Sequence, residues 1–404
     1  MVNMNEQASS DDVPETEAAR LRRQLVAEKH AQATALLRTH GIDCWLTFAR
    51  EGSDLLLPFV IGGEEIVGTS ALMLFADGPS VAIVADYDTS QVEGVFDQVI
   101  PYSLDWRDPF QTILRERGPA TIGINYSEHD HGCDGLTYGL YQALVHALEP
   151  IGLDGTLVSA EPVAENVRAI KTTSEIERMR RATAITQRIF DDLTSMLKPG
   201  LTEADVFAIV QERMQTYEVG PAWEASWCPT VISSTRQGGH GAPGAVKLEA
   251  GDAVRVDLGV VVDGYCSDMQ RTWYLRRPGE TDAAPEFRHA FETVRAGIFM
   301  AAEAIRPGLK GYEVDAPVRH FVAERGYNFT HALGHQLGRL AHDGGMLLGP
   351  NNARYGARAG GTIAAGMVFT LEPCVAAIGL EDDVVVTDDG CEFLITTPRE
   401  LYLV

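Results

Sequence analysis

The sequence predicts an α+β protein in two parts: a smaller α/β domain over residues 16–165, then a duplicated α+β domain over residues 166–404. Three observations predict this. In the first part, short apolar runs alternate with helical stretches, the pattern of an α/β layer fold. In the second, a helix, a Pro-Gly-Leu break and another helix occur at Pro199 and again at Pro307, and a recurring unit of this kind marks duplication. Each copy is followed by strand-like runs carrying a carboxylate pair, Asp257 with Asp268 and then Glu372 with Glu381.

Residues 1–15 are polar and acidic without a period, which predicts a disordered tail. Helical spacing runs from Ala18 to His40, where Gly41 stops it. The runs Cys44–Phe48, Ala71–Phe75, Val81–Val84 and Thr121–Ile124 predict strands, and Tyr138–Leu148 a helix. Asp86, Asp88, Asp105, Asp108, His129, His131 and Asp134 have no ligand spacing and read as solvated loop residues. Ser174, with Glu177 three residues on, predicts a helix N-cap before Ile176, Met179, Ala182, Ile185 and Ile189. Thr202 and Asp205 cap the next helix, which reaches about Tyr217; helices from about Pro285 and Tyr312 form the second copy.

Val254–Trp273 predicts a β-hairpin, because apolar runs flank Asp263-Gly264, the strongest short signal for a two-residue turn. Counting outward, Val262 faces Tyr265, Val261 faces Cys266 and Asp257 faces Gln270. Asp268 then shares a face with Asp257, as its diagonal neighbour within about 7–8 Å. A β-bulge between Gly259 and Asp268 would instead send the two carboxylates to opposite faces.

The 404 residues exceed one ordinary core. A net charge of −24, from 33 basic and 57 acidic residues, argues against a nucleic-acid or anionic-membrane surface. Six widely spaced cysteines without a Cys-x-x-Cys pair point to a reducing cytoplasm. There is no basic N-terminal segment followed by an apolar run, and no apolar stretch long enough to span a bilayer.

Duplication would bring the two sheet halves together and converge four carboxylates, an arrangement that needs cations; two divalent ions would balance it. Three histidines, His331, His335 and His342, fall within twelve residues of a chain that has eleven, and Gly334 and Gly338 predict loop or extended backbone there. His240 lies in a glycine-rich loop. Glu372 follows an apolar strand, while Asp382 and Asp383 compete with Glu381 for its role. Oxygen-rich ligation with one imidazole suits manganese, cobalt or zinc. Two such ions sharing a water can drive amide hydrolysis without a protein nucleophile.

In combination, Asp257-Leu-Gly with Cys-Ser-Asp268, His331-x-x-Gly-His335-x-x-Gly with His342-Asp, Leu371-Glu372-Pro and Glu381-Asp-Asp resemble the pita-bread metallopeptidases. That family includes methionine aminopeptidase, aminopeptidase P and prolidase. The resemblance is closest to bacterial prolidase and aminopeptidase P; it covers about Asn166–Val404 by motif and Ala18–Ala160 by architecture, as a creatinase-type N-terminal domain. It implies that Asp257 binds the first metal, that Asp268 and Glu381 bridge both, and that His335 and Glu372 bind the second. Glu372 would also handle the proton of the bridging water. His240 would line the substrate pocket, His331 and His342 would contact substrate and transition state, and Arg358 would grip the carboxylate of a C-terminal proline.

The implied function is an Xaa-Pro dipeptidase with two divalent ions per chain, manganese first and cobalt or zinc as alternatives. It would act on proline-containing dipeptides or short peptides as a cytoplasmic homodimer. The alternatives are an Xaa-Pro aminopeptidase acting on longer peptides, a small-molecule C–N hydrolase of the creatinase or ectoine-hydrolase kind, and a silent binding module. The last two are disfavoured because no ligand position is lost. Two departures stand out. Several relatives carry arginine where this chain has Gly379, and Arg339, where many have a small or apolar residue, is the candidate to supply the missing cation.

Overall fold

Strands buried along their whole length organise both parts of the chain. The computed structural model describes residues 16–235, 241–375 and 377–404. The expected tail, residues 1–15, and His240 lie outside the described residues. The chain divides into two compact units. One runs to His129 and resumes at Cys133–Ala164; the other comprises Asp130–Gly132 and Glu165–Val404.

The first unit holds a six-stranded sheet in the order Gln98–Tyr102, Val81–Ala85, Ser70–Phe75, Cys44–Ala49, Ile122–Ile124, Leu157–Ser159. The Cys44–Ala49 strand pairs antiparallel with Ser70–Phe75 and parallel with Ile122–Ile124. Its residues are all buried, as expected of a central strand covered on both faces. Leu46, Phe48, Met73 and Ile83 share one face and pack with Phe110, Leu114, Leu140 and Leu144 of the helices Arg107–Arg117 and Tyr138–Leu148. Helix Glu17–His40 lies against the Ser70–Phe75 strand. It ends at Gly41, whose φ of 66° is the left-handed C-cap the sequence anticipates.

Sequence pattern misses two strands here, Gln98–Tyr102 and Leu157–Ser159. Both are sheet edges and only partly buried, so neither needs an apolar run, and Pro101 sits where an edge strand tolerates it. Asp88 corrects the reading of solvated acids. It is buried, and its carboxylate accepts from the Val67 and Gly68 backbone N–H groups.

The second unit repeats one plan. In the first half, helices Thr173–Met196 and Glu203–Thr216 bury Ile189, Phe190, Val206 and Val210 against Val254, Val256, Met269 and Trp273. In the second, helices Pro285–Ala304 and Gly311–Glu324 bury Phe291, Val294, Val314 and Val318 against Phe369, Leu371, Val384 and Val386. The first helix starts two residues earlier than expected. Thr172, not Ser174, caps it: Thr172 Oγ1 accepts from Glu175 N at 3.4 Å, and Thr172 N donates to Glu175 Oε2 at 2.7 Å. Both residue pairs have capping-box spacing. Glu175 is further fixed by the Tyr265 hydroxyl, which donates to it at 2.9 Å.

The hairpin closes through Asp263 and Gly264, with φ of 47° and 77°, the two positive values of the turn that matches strand twist. Val262 pairs with Tyr265, Val261 with Cys266, Leu258 with Met269 and Asp257 with Gln270. The register runs through without a bulge, so Asp257 and Asp268 leave on one face.

Candidate metal centre

A strand contact between the two halves assembles the centre. Gln270, on the strand Met269–Tyr274, bridges to Glu381: Glu381 N donates to Gln270 O at 3.1 Å, and Gln270 N to Glu381 O at 3.4 Å. This sets Glu381 beside the Asp257/Asp268 face. His335 arrives on the strand Gly334–His335, which crosses close to Val368–Leu371; a Cβ on Gly334 would lie 1.9 Å from Thr370 O, so only glycine passes there. Glu372 follows that second strand directly, and its N–H donates to Leu333 O at 2.9 Å.

Asp257, Asp268, His335, Glu372 and Glu381 thus line one small pocket of about 90 Å³. Within it, Asp268, His335 and Glu381 bring ligand atoms within 4.8 Å of one another. His335 Nε2 stands 3.6 Å from Glu372 Oε1 and 3.8 Å from Asp268 Oδ2. The imidazole Nδ1 faces Gln336 O at 3.1 Å. A carbonyl only accepts, so the proton sits on Nδ1 and the Nε2 lone pair faces the carboxylates.

The electrostatics of this pocket follow from burial and crowding. Burial, then Asp257 and Asp383, raise the Asp268 carboxyl well above its usual range; burial, then Asp268 and Glu372, do the same to Glu381. Glu372 is pushed up to about 8 by burial and by Asp257, against an opposing pull from Arg255. Burial and then His342 push His335 down to about 3, which keeps it neutral. Three crowded carboxyls held toward protonation beside a neutral imidazole form a site that divalent cations would relieve. The donor set fits hard or borderline ions.

The competition among the three acids after Leu380 is resolved by pairing. Asp382 turns to the buried Arg271 and Arg399, each at 2.8 Å. Asp383 accepts from Asp268 N and Thr183 Oγ1, both at 3.3 Å. Glu381 alone of the three joins the cluster. Arg271 Nη1 also donates to Glu381 O at 2.8 Å, tying the strand in place.

The pocket adjoins a larger cleft of about 620 Å³, to which His331, His342 and Arg358 contribute. His331 Nε2 donates to Glu372 O at 3.0 Å. The His342 ring lies 4.3 Å from that of His335. Arg358 is exposed, and its Nε donates to Gly345 O at 2.7 Å. The cleft also carries residues that sequence reasoning passed over: Arg255, Gln270, Tyr355 and His131, the last of which was read as a plain loop residue. Trp223 and Trp227 wall the metal pocket. For Arg255 and Gln270 a signal existed, since one lies two residues before Asp257 and the other opposite it. Arg339 does not supply the cation missing at 379. It lies over the Tyr265 ring by the hairpin turn, 5.4 Å from its centroid, and the arginine whose side chain runs past Gly379 is Arg255.

A duplicated α+β unit whose halves each deliver carboxylates to one buried cluster is the pita-bread fold of metal-dependent hydrolases. A model of Metallopeptidase family M24 matches residues 177–388, more than half of the sequence, and the chain belongs to that family. An uncharacterized peptidase of Staphylococcus aureus is 28% identical over 334 residues, which are 80% of this chain and 87% of the relative. Among solved structures, an X-Pro aminopeptidase from Thermotoga maritima aligns with a TM-score of 0.73 at 23% identity, covering 92% of this chain and 100% of its own. An Xaa-Pro dipeptidase from Bacillus anthracis aligns at 0.72 and 24%, covering 94% and 100%. At these identities the two structures speak for the fold.

Proposed function

We propose that the chain is an Xaa-Pro dipeptidase that hydrolyses the imide bond of short proline-containing peptides with two divalent metal ions, manganese first and cobalt or zinc as alternatives. The observation that carries the reading is the five-residue donor set, Asp257, Asp268, His335, Glu372 and Glu381, beside a cleft that bears Arg358. When bound, the ions supply Lewis acidity and lower the pKa of water.

The chain's own groups account for the rest. Asp257, Asp268, His335, Glu372 and Glu381 hold the ions. The Glu372 carboxylate takes the proton of the attacking water and delivers it to the leaving imide nitrogen. His342 is the donor to the oxygen that gains charge as the carbonyl becomes tetrahedral, and His331, whose Nε2 donates to Glu372 O, contacts the substrate beside it. Arg358 binds the carboxylate of the C-terminal proline through a guanidinium fork. His240 completes the substrate pocket in this scheme. Trp223 and Trp227 shield the reacting centre from bulk water.

The second reading is an Xaa-Pro aminopeptidase for longer peptides, and the exposure of Arg358 favours it, because an open cleft mouth admits further residues. Hydrolysis of Ala-Pro against Ala-Pro-Ala by metal-loaded protein separates the two. Faster turnover of the dipeptide supports the first reading; turnover of the tripeptide alone overturns it.

A reducing, cytoplasmic setting is part of the proposal and agrees with six free thiols. No helix among the described residues is long and apolar enough to cross a membrane. A homodimer is proposed from the family resemblance, and sedimentation analysis tests it.

A further inference from the structure

Arg255 is a half-buried cation that, among the described residues, leaves most of its bonding capacity unused. It stands two residues before Asp257 on the strand Ala253–Leu258, so both side chains leave the strand on one face, while Val254 and Val256 enter the core on the other. That face is the wall of the larger cleft, where Arg255 sits with Gln270, Glu372 and Cys374.

A guanidinium carries five N–H donors. Among the described residues, the one hydrogen bond Arg255 makes runs from Nη1 to the Cys374 thiol, a weak acceptor, and its buried Nε has no acceptor. No carboxylate among the described residues stands within ion-pairing distance of it. The fully buried arginines of this unit are treated differently. Arg168 pairs with Asp130 at 3.1 Å, and Arg271 and Arg399 both pair with Asp382 at 2.8 Å. Burying a charge without a partner is costly, so an arginine left short of acceptors in a cleft wall is expected to meet them on a ligand.

The surrounding backbone makes room for this side chain at one position. A Cβ on Gly379 would lie 2.7 Å from Arg255 Cδ and 2.6 Å from Gln270 Oε1. Any side chain at 379 therefore competes with Arg255 for the same space, and the two positions form an interlocked pair.

We propose that Arg255 is a substrate-contacting, specificity-determining residue: its guanidinium binds an acceptor oxygen of the peptide, a carboxylate or carbonyl oxygen, beside Glu372, and position 379 is glycine because the methylene stem of Arg255 fills the space. This rests on the reading of the cleft as an Xaa-Pro peptidase site.

The test uses full-length, metal-loaded protein: steady-state hydrolysis of Ala-Pro and Ala-Pro-Ala, and calorimetric titration with L-proline and with prolinamide, which need no turnover. Arg255→Ala is expected to keep wild-type metal content and thermal unfolding. It should raise KM and weaken L-proline binding by about ten- to hundredfold, the loss of hydrogen bonds to a charged group. Arg255→Lys should recover part of both. Arg255→Ala with Gly379→Arg should recover most, because it returns a guanidinium to the vacated space, whereas Gly379→Arg alone should lose as much as Arg255→Ala. A loss for L-proline but not prolinamide assigns Arg255 to the carboxylate; equal losses assign it to the carbonyl.

The proposal is overturned if Arg255→Ala and Arg255→Lys both stay within about twofold of wild type in KM and L-proline binding. It is equally overturned if their losses follow lost metal or lost folding and the double variant does not recover them. Wild-type protein that binds L-proline through Arg255 yet hydrolyses neither peptide overturns the functional reading alone.

Discussion

Gln270 holds Glu381 twice. Their backbones bridge through hydrogen bonds of 3.1 and 3.4 Å, and Gln270 Nε2 donates to Glu381 Oε2 at 2.5 Å. The same glutamine faces Asp257 across the hairpin, so one residue ties the carboxylates of both halves into one geometry. Gln270→Ala keeps the backbone bridge and removes the amide that orients Glu381. Metal affinity is expected to fall about ten- to hundredfold, the usual loss when a ligand's hydrogen-bond partner is removed, and calorimetric titration measures it. Unchanged affinity would show that Glu381 needs no such support.

Metal binding should release protons near neutrality. Glu372 sits at about 8 in the metal-free chain, and Asp268 and Glu381 are raised well above their usual range, so all three are held toward protonation at pH 7. Binding must expel those protons. His335, at about 3, is already neutral and contributes none. Apparent affinity should therefore rise as pH is increased through about 8. Binding enthalpies measured in buffers of different ionisation enthalpy should differ, and buffer-independent enthalpies would contradict this.

The sign for stability follows from the same values. The folded value of Glu372 lies above its ordinary 4.5, so its contribution to metal-free stability is full below about 4.5 and is lost as pH rises through about 8.

Asp268→Asn separates function from stability. It removes one of the repelling buried carboxylates and a metal ligand together. Metal-free Asp268→Asn should melt at or above the metal-free parent, yet bind fewer ions and lose hydrolysis, as expected where repulsion is retained for function. Calorimetric melting with metal analysis checks both halves. A variant that melts well below the parent, or that keeps full activity, would refute this.

Arg358→Ala should discriminate between substrates. If the guanidinium reads a free proline carboxylate, its removal should cost Ala-Pro about ten- to hundredfold in kcat/KM and cost Ala-Pro-Ala much less. Equal losses on both peptides would remove that role from Arg358.

How much of this was legible in the sequence depended on how local the determinant was. Asp263-Gly264 fixed the hairpin register by counting, and the structure keeps that register from Asp257–Gln270 to Val262–Tyr265. The helix pairs were readable from Thr202, Pro285 and the two Pro-Gly-Leu breaks. Where two signals had equal local strength, as at Thr172 and Ser174, tertiary support for Glu175 from Tyr265 decided the cap, and no local pattern reveals that. The edge strand Gln98–Tyr102 lacked a clear apolar run because none of its five residues is buried. Arg255 had a local signal, two residues before Asp257 on one strand face, but its contacts with Gly379 and Cys374, more than a hundred residues away, exist only in the folded unit.

The most direct test of the central claim is metal analysis coupled to proline release from Ala-Pro on the same preparation. The account predicts that the metal-free chain is inactive, and that activity rises with manganese and saturates near two ions per chain. Proline release that is complete with no divalent metal bound, or its absence from a chain shown to hold two ions, would contradict it.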